Sequence, residues 1–102
     1  MCCATRYNVQ MIKSFRHKGL EAFFLTGSQK GIQPVHAKRL RMQLAALHTA
    51  TDIEDMNIPG YRLHELKGDR QGVWSITVNA NWRMTFTFDN GNAEIVNYED
   101  YH

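Results

Sequence analysis

Six side chains in the second half of the chain are of the types that can cleave a phosphodiester without a metal. His64 and Lys67 lie three residues apart, Arg83 sits in the run Trp-Arg-Met-Thr-Phe-Thr, and the chain ends Asp100, Tyr101, His102. An imidazole or carboxylate can take a proton, a second acid can protonate the leaving oxygen, and Arg or Lys can hold charge developing on a phosphate. Each residue also has an ordinary reading. A strand histidine such as His64 can be structural, and His102 can be a frayed terminus. Arg83 can pair with Glu65 or Glu94 across strands, a link worth under about 1 kcal/mol when exposed. The residue types alone leave both readings open.

These groups need a sheet to bring them together. Between residues 73 and 88 apolar and polar residues alternate, Trp74, Ile76, Val78 and then Trp82, Met84, Phe86, Phe88, which is the period of half-buried strands. The spacing predicts a strand over 61–66, a turn-rich stretch at 67–72, a strand ending near 79, a turn at 79–81, and the next strand to 88. Asn90-Gly91 favours a tight type I′ turn into a last strand over 93–98. Four consecutive strands of this kind make an antiparallel meander. It would set Arg83 on one face with Thr85 and Thr87, with His64 brought beside it from a neighbouring strand.

Upstream the period changes. Ile12 and Phe15 suit a short first strand, and Leu20, Phe23 and Phe24 fall at helical spacing up to Gly27, a C-cap residue. Pro34 suits the first turn of a longer helix from 35 to about 48, with a stripe of Leu40, Leu44 and Leu47 and a basic flank of Lys38, Arg39 and Arg41. Ile53 and Met56 mark a further helical turn closed by Pro59-Gly60. Helices followed by a run of strands predict an α+β fold: two to three N-terminal helices on an antiparallel sheet, a short first strand plus a four-strand C-terminal meander.

At 102 residues, 43% hydrophobic and 22% charged, the chain fits one soluble domain with a modest core. Residues 1–10 lack periodicity and are expected to be a disordered extension, with one domain over 11–102. No apolar run is long enough to span a bilayer, and a cytoplasmic location is expected. Cys2 and Cys3 are adjacent, so they cannot staple the fold. No Cys/His spacing suits zinc, and neither metal nor other cofactor is expected. The net charge of +2 is unevenly spread: residues 11–45 hold seven Lys or Arg against Glu21 alone, while 46–60 hold Asp52, Glu54 and Asp55. The basic half is either a patch for a polyanion or a solvated helix face.

Three segments resemble the HigB toxins of the RelE/ParE superfamily: MIKSFRHKGLEAFF, YRLHELKGDRQGVWSITVNANWRMTFTF and NAEIVNYEDYH. The resemblance runs from Met11 to His102. It implies a RelE-like toxin that enters the ribosomal A site and cleaves translated mRNA, with His64, Lys67, Arg83, Asp100, Tyr101 and His102 on the active-site positions. It also implies neutralisation by a helix-turn-helix antitoxin, HigA, through which alone the toxin would meet operator DNA. On this reading Lys38, Arg39, Arg41 and Arg70 would contact RNA of the 70S ribosome. The alternatives are a ParE-like gyrase poison or a non-catalytic RNA-binding module of the same fold.

Overall fold

The computed structural model describes residues 11–79, 81–89 and 91–100. The expected disordered extension, residues 1–10, and the terminal pair Tyr101 and His102 lie outside the described residues.

Strand β1 (Met11–Ile12) leads into helix α1 (Lys18–Thr26), and a 3₁₀ turn at Pro34–His36 opens helix α2 (Ala37–Thr49). A second 3₁₀ turn, Ile53–Met56, precedes β2 (His64–Glu65), β3 (Val73–Asn79), β4 (Trp82–Asp89) and β5 (Asn92–Asp100). The five strands form one sheet in the order β1-β5-β4-β3-β2. The meander from β2 to β5 is antiparallel as expected. The first strand differs: β1 runs parallel to β5 at the far edge. A parallel neighbour requires a crossover, here both helices and the strands β2 to β4.

Local chemistry explains the helix ends. His17 caps α1, its Nδ1 accepting the Leu20 N–H at 2.9 Å, and Gly27 ends it at φ 83°, where a Cβ would be strained. The helix expected from residue 35 begins two residues later, because Pro34 starts a tighter 3₁₀ turn. Gly19 and Gly31 let α1 and the following loop touch: a Cβ on Gly31 would lie 2.6 Å from the Gly19 Cα.

Both helices bury their apolar stripes on one face of the sheet. Leu20, Phe23, Leu40, Leu44 and Leu47 pack with Ile76, Met84, Phe86, Val96 and Tyr98. Each fully buried leucine contributes up to about 1.5–3 kcal/mol. The buried Gln43 adds a polar tie, its Nε2 donating to the Thr77 carbonyl at 2.8 Å. His48 joins the layers at the other end by accepting the Ile12 N–H at 3.3 Å.

The strand expected over 61–66 contracts to His64–Glu65. Gly60 and Arg62 both have positive φ, 93° and 55°, which interrupts extended backbone before it can pair. Tyr61 stays anchored because its carbonyl accepts the Thr77 N–H at 2.7 Å and its ring is buried.

Candidate active site

The other sheet face is polar, and strand register says which residues share it. His64 pairs with Ser75, Ser75 with Thr85, and Thr85 with Asn97. Two positions along, Thr77 pairs with Arg83 and Arg83 with Glu99. Side chains two apart in a strand point the same way, so His64, Arg83, Thr85 and Glu99 belong to one face. The 3₁₀ turn Gly68–Arg70 folds over its middle, where Ser75 and Thr85 are buried.

His64 is exposed on the edge strand, and its Nδ1 lies 2.9 Å from the Arg62 carbonyl. A carbonyl can only accept, so Nδ1 carries the proton and Nε2 of the neutral ring is left as the basic nitrogen. The positive φ of Arg62 thus has a chemical consequence at the sheet edge. Lys67 follows on the exposed turn after β2. That turn is closed by Leu66 N–H to Val73 O at 2.8 Å and by Gly72 N–H to the Glu65 carboxylate at 2.9 Å.

Arg70, expected to contact RNA, pairs with an acid of the same face while its side chain stays partly exposed. Its two terminal nitrogens reach the Glu99 carboxylate at 2.6 and 3.3 Å, and Thr85 Oγ1 donates to the same carboxylate at 3.0 Å. Arg70 holds the Glu99 carboxyl below its ordinary value, with help from Thr85 and the charge of Arg83 and against its partial burial. Glu99 reciprocally raises Arg70. Neither carboxylate suggested by the sequence for Arg83 stands opposite it. Glu94 pairs with Thr87, and Glu65 pairs with Trp74, one position out of phase with His64.

Glu99 is the residue that sequence reasoning missed. It stands beside Asp100 in the terminal run, but a bulge between Thr85 and Thr87 on one side and Asn97 and Glu94 on the other shifts β5 by one residue. Asp100, by contrast, pairs with Trp82, and alternation sets it on the helix side of the sheet's end rather than beside Arg83. There its charge raises the Tyr98 phenol, an effect smaller than that of burial. The Tyr98 hydroxyl lies 2.6 Å from Nδ1 of the buried His36 and accepts the Gln33 N–H at 3.3 Å. The hydroxyl thus bridges Gln33 and His36, and the Trp82 ring stacks on Tyr98 with centroids 4.6 Å apart. His17, His36 and His48 all serve the fold.

The basic flank of α2 is in the helical layer, away from the Arg83 face. Lys38, Arg39 and Arg41 are exposed. Arg39 donates to the Gly60 carbonyl at 3.3 Å and lies over the Tyr61 ring, while Arg41 lies over Phe23. Of the ten residues singled out from sequence, the structure sets His64, Arg83 and Arg70 on one face, with His64 two strands from Arg83 and in line with Thr85 rather than beside the arginine as expected, and leaves Lys67 on the adjoining turn and Asp100 at the strand end.

Comparison with known proteins gives this arrangement a context. Residues 13–102 match the family described as the RelE-like toxin of the type II toxin-antitoxin system HigB. A protein named endoribonuclease HigB, from Proteus vulgaris, is 55% identical over 92 residues, covering 90% of this chain and all of that protein. A match of this length takes in every strand that carries the polar face, and the chain belongs to the RelE-like HigB family of type II toxins.

Proposed function

We propose that the protein is a ribosome-dependent mRNA endoribonuclease that works at the Arg83 face and so arrests translation. The observation that carries this reading is the sharing of one sheet face by the Arg83 guanidinium and an edge histidine whose Nε2 is available to a proton. The activity named for the Proteus vulgaris relative supports RNA cleavage, and the HigB resemblance supports translated mRNA in the A site as its target. As a type II toxin the protein has a cognate antitoxin; a HigA-type helix-turn-helix protein, acting in the cytoplasm and carrying the toxin to operator DNA, fits that role.

In the proposed reaction the ribose 2′-oxygen bonds to the adjacent phosphorus as the P–O5′ bond breaks. The 2′-OH proton passes to a base, and a proton is supplied to the departing 5′-oxygen. The products are a 2′,3′-cyclic phosphate and a 5′-OH. Arg83 holds two non-bridging oxygens with its planar fork, and Lys67 adds a mobile point charge from its turn. His64 through Nε2 and His102 are the groups that can carry protons at this face, Asp100 stands off it at the strand end, and Tyr101 offers a ring or hydroxyl to position the nucleotide. Lys38, Arg39 and Arg41 give the helical side a sequence-blind attraction to ribosomal RNA.

Mapping transcript 5′ ends after brief induction tests this. New 5′-OH ends in frame within translated regions are expected; intact transcripts with a DNA-damage response would point to gyrase instead.

A further inference from the structure

Ile95 is the outlier of the sheet. It is β-branched, yet its φ is +55°, a region that such residues rarely enter, and it is 51% exposed. It sits at the bulge where β5 changes register against β4. Strained residues of this kind persist where the surroundings over-determine them and tend to mark functional surfaces. The surroundings here are specific. Ser14 Oγ accepts the Ile95 N–H at 2.9 Å, the Ser14 carbonyl accepts the Val96 N–H at 3.1 Å, and the Arg16 N–H donates to the Val96 carbonyl at 2.8 Å. The segment that braces the bulge therefore also delivers Arg16.

The result is a groove of about 240 Å³ on the Arg83 face, lined among others by Arg16, Arg70, Val73, Thr87, Ile95 and Asn97. It shares Thr85 with the Arg70–Glu99 network and begins about 7 Å along β4 from Arg83, at ~3.3 Å per residue. Its chemistry is mixed in a particular way. Ile95 and Val73 offer apolar contact for a flat ring, the Asn97 amide offers hydrogen bonds to base edges, and the Thr87 hydroxyl, which donates to the Glu94 carbonyl at 3.2 Å, can accept one. Arg16 offers a cation at the groove's edge, whereas the Arg70 charge is matched by Glu99, and Asp69 adds an acid to the lining. Single-stranded RNA is read in this manner, by ring contact and base-edge hydrogen bonds along a strand held by scattered cations.

We infer that this groove is a nucleotide subsite, holding the base of a residue next to the one whose phosphate lies at Arg83, with Arg16 on its backbone. The inference rests on the nuclease reading above. It assigns Ile95 and Arg16 as RNA contacts remote from the reacting atoms, so they add binding shared by ground and transition states.

The test is steady-state cleavage on mRNA-programmed ribosomes by Ile95→Gly and Arg16→Ala, with thermal unfolding and antitoxin binding measured on the same preparations. Glycine accepts the positive φ, so Ile95→Gly is expected to unfold at the same or a higher temperature. Its KM should nevertheless rise roughly fivefold or more with kcat within about twofold, and Arg16→Ala should do the same while Arg16→Lys recovers part. Wild-type KM in both variants would overturn the subsite while leaving the nuclease intact. Weakened antitoxin binding with unchanged KM would also overturn it, and would make the groove a protein-docking surface. Absence of cutting by the wild type would remove the nuclease reading and the subsite with it.

Discussion

Arg83 and Glu99 stand directly opposite each other on adjacent strands, and Arg70 forks onto the same carboxylate from the turn above. Glu99 thus stands between two guanidinium groups, those of Arg83 and Arg70. It ties the Lys67–Arg70 turn to the sheet, and its charge tempers the repulsion that two arginines on one face would feel.

Glu99→Gln should therefore lower stability at neutral pH by about 1 kcal/mol, a modest figure because the pair is partly open to solvent. The sign with pH follows from the direction of its shift. The folded-state carboxyl is depressed, so its contribution is present above the unfolded-state value and is lost as pH falls through the folded one. Thermal unfolding of wild type and Glu99→Gln from neutral to acid pH should show curves that converge in acid. A gap of constant width would mean that the charge of Glu99 is not what stabilises the turn.

His36 and His17 are both lowered from 6.5, His36 by burial and His17 by burial outweighing a backbone hydrogen bond. Below 6.5 the unfolded chain binds protons that the folded chain refuses. Stability contributed by the neutral rings is thus full above that value and declines as pH falls toward the folded pKa values. His36→Gln keeps a polar partner for Tyr98 without titrating, so its unfolding temperature should fall less between pH 6.5 and the acid limb than that of wild type. Parallel curves would show that His36 does not titrate in this range.

Reversing the charge of Lys38, Arg39 and Arg41 should weaken ribosome association and flatten its salt dependence. Each pairing with a phosphate that is abolished should reduce the log-affinity slope by about 0.7–0.9. Ribosome pelleting across a salt series reads this directly. An unchanged slope would assign the flank to solvent or to the antitoxin.

The elements are largely legible in the sequence because their periods are clean: the two helices and the meander follow from residue spacing. The site is legible only in part. Counting back from Asp89 opposite Asn92 without a bulge would set Arg83 against Tyr98; the bulge at Ile95 sets it against Glu99 and turns Val96 and Tyr98 into the core. A one-residue shift exchanges the two faces of a strand, and nothing in the type of residue 95 announces it, since isoleucine is a poor choice for positive φ. The same blindness hides the Arg70–Glu99 pair and the offset of Asp100. Arg62, another non-glycine at positive φ, likewise conceals how His64 acquires its tautomer.

Whether Arg83 is the group that holds the reacting phosphate is decided by single-turnover cleavage of end-labelled mRNA set in the A site of programmed 70S ribosomes, using wild type, Arg83→Ala and Arg83→Lys. Folding of each variant is checked first by its thermal transition and its binding to the antitoxin. A loss of roughly 100-fold or more is expected for Arg83→Ala, as for removal of a group that stabilises developing phosphate charge. An intermediate rate is expected for Arg83→Lys, which keeps the charge but loses the fork. A folded Arg83→Ala protein that cuts at the wild-type rate would remove Arg83, and the face built around it, from the chemistry.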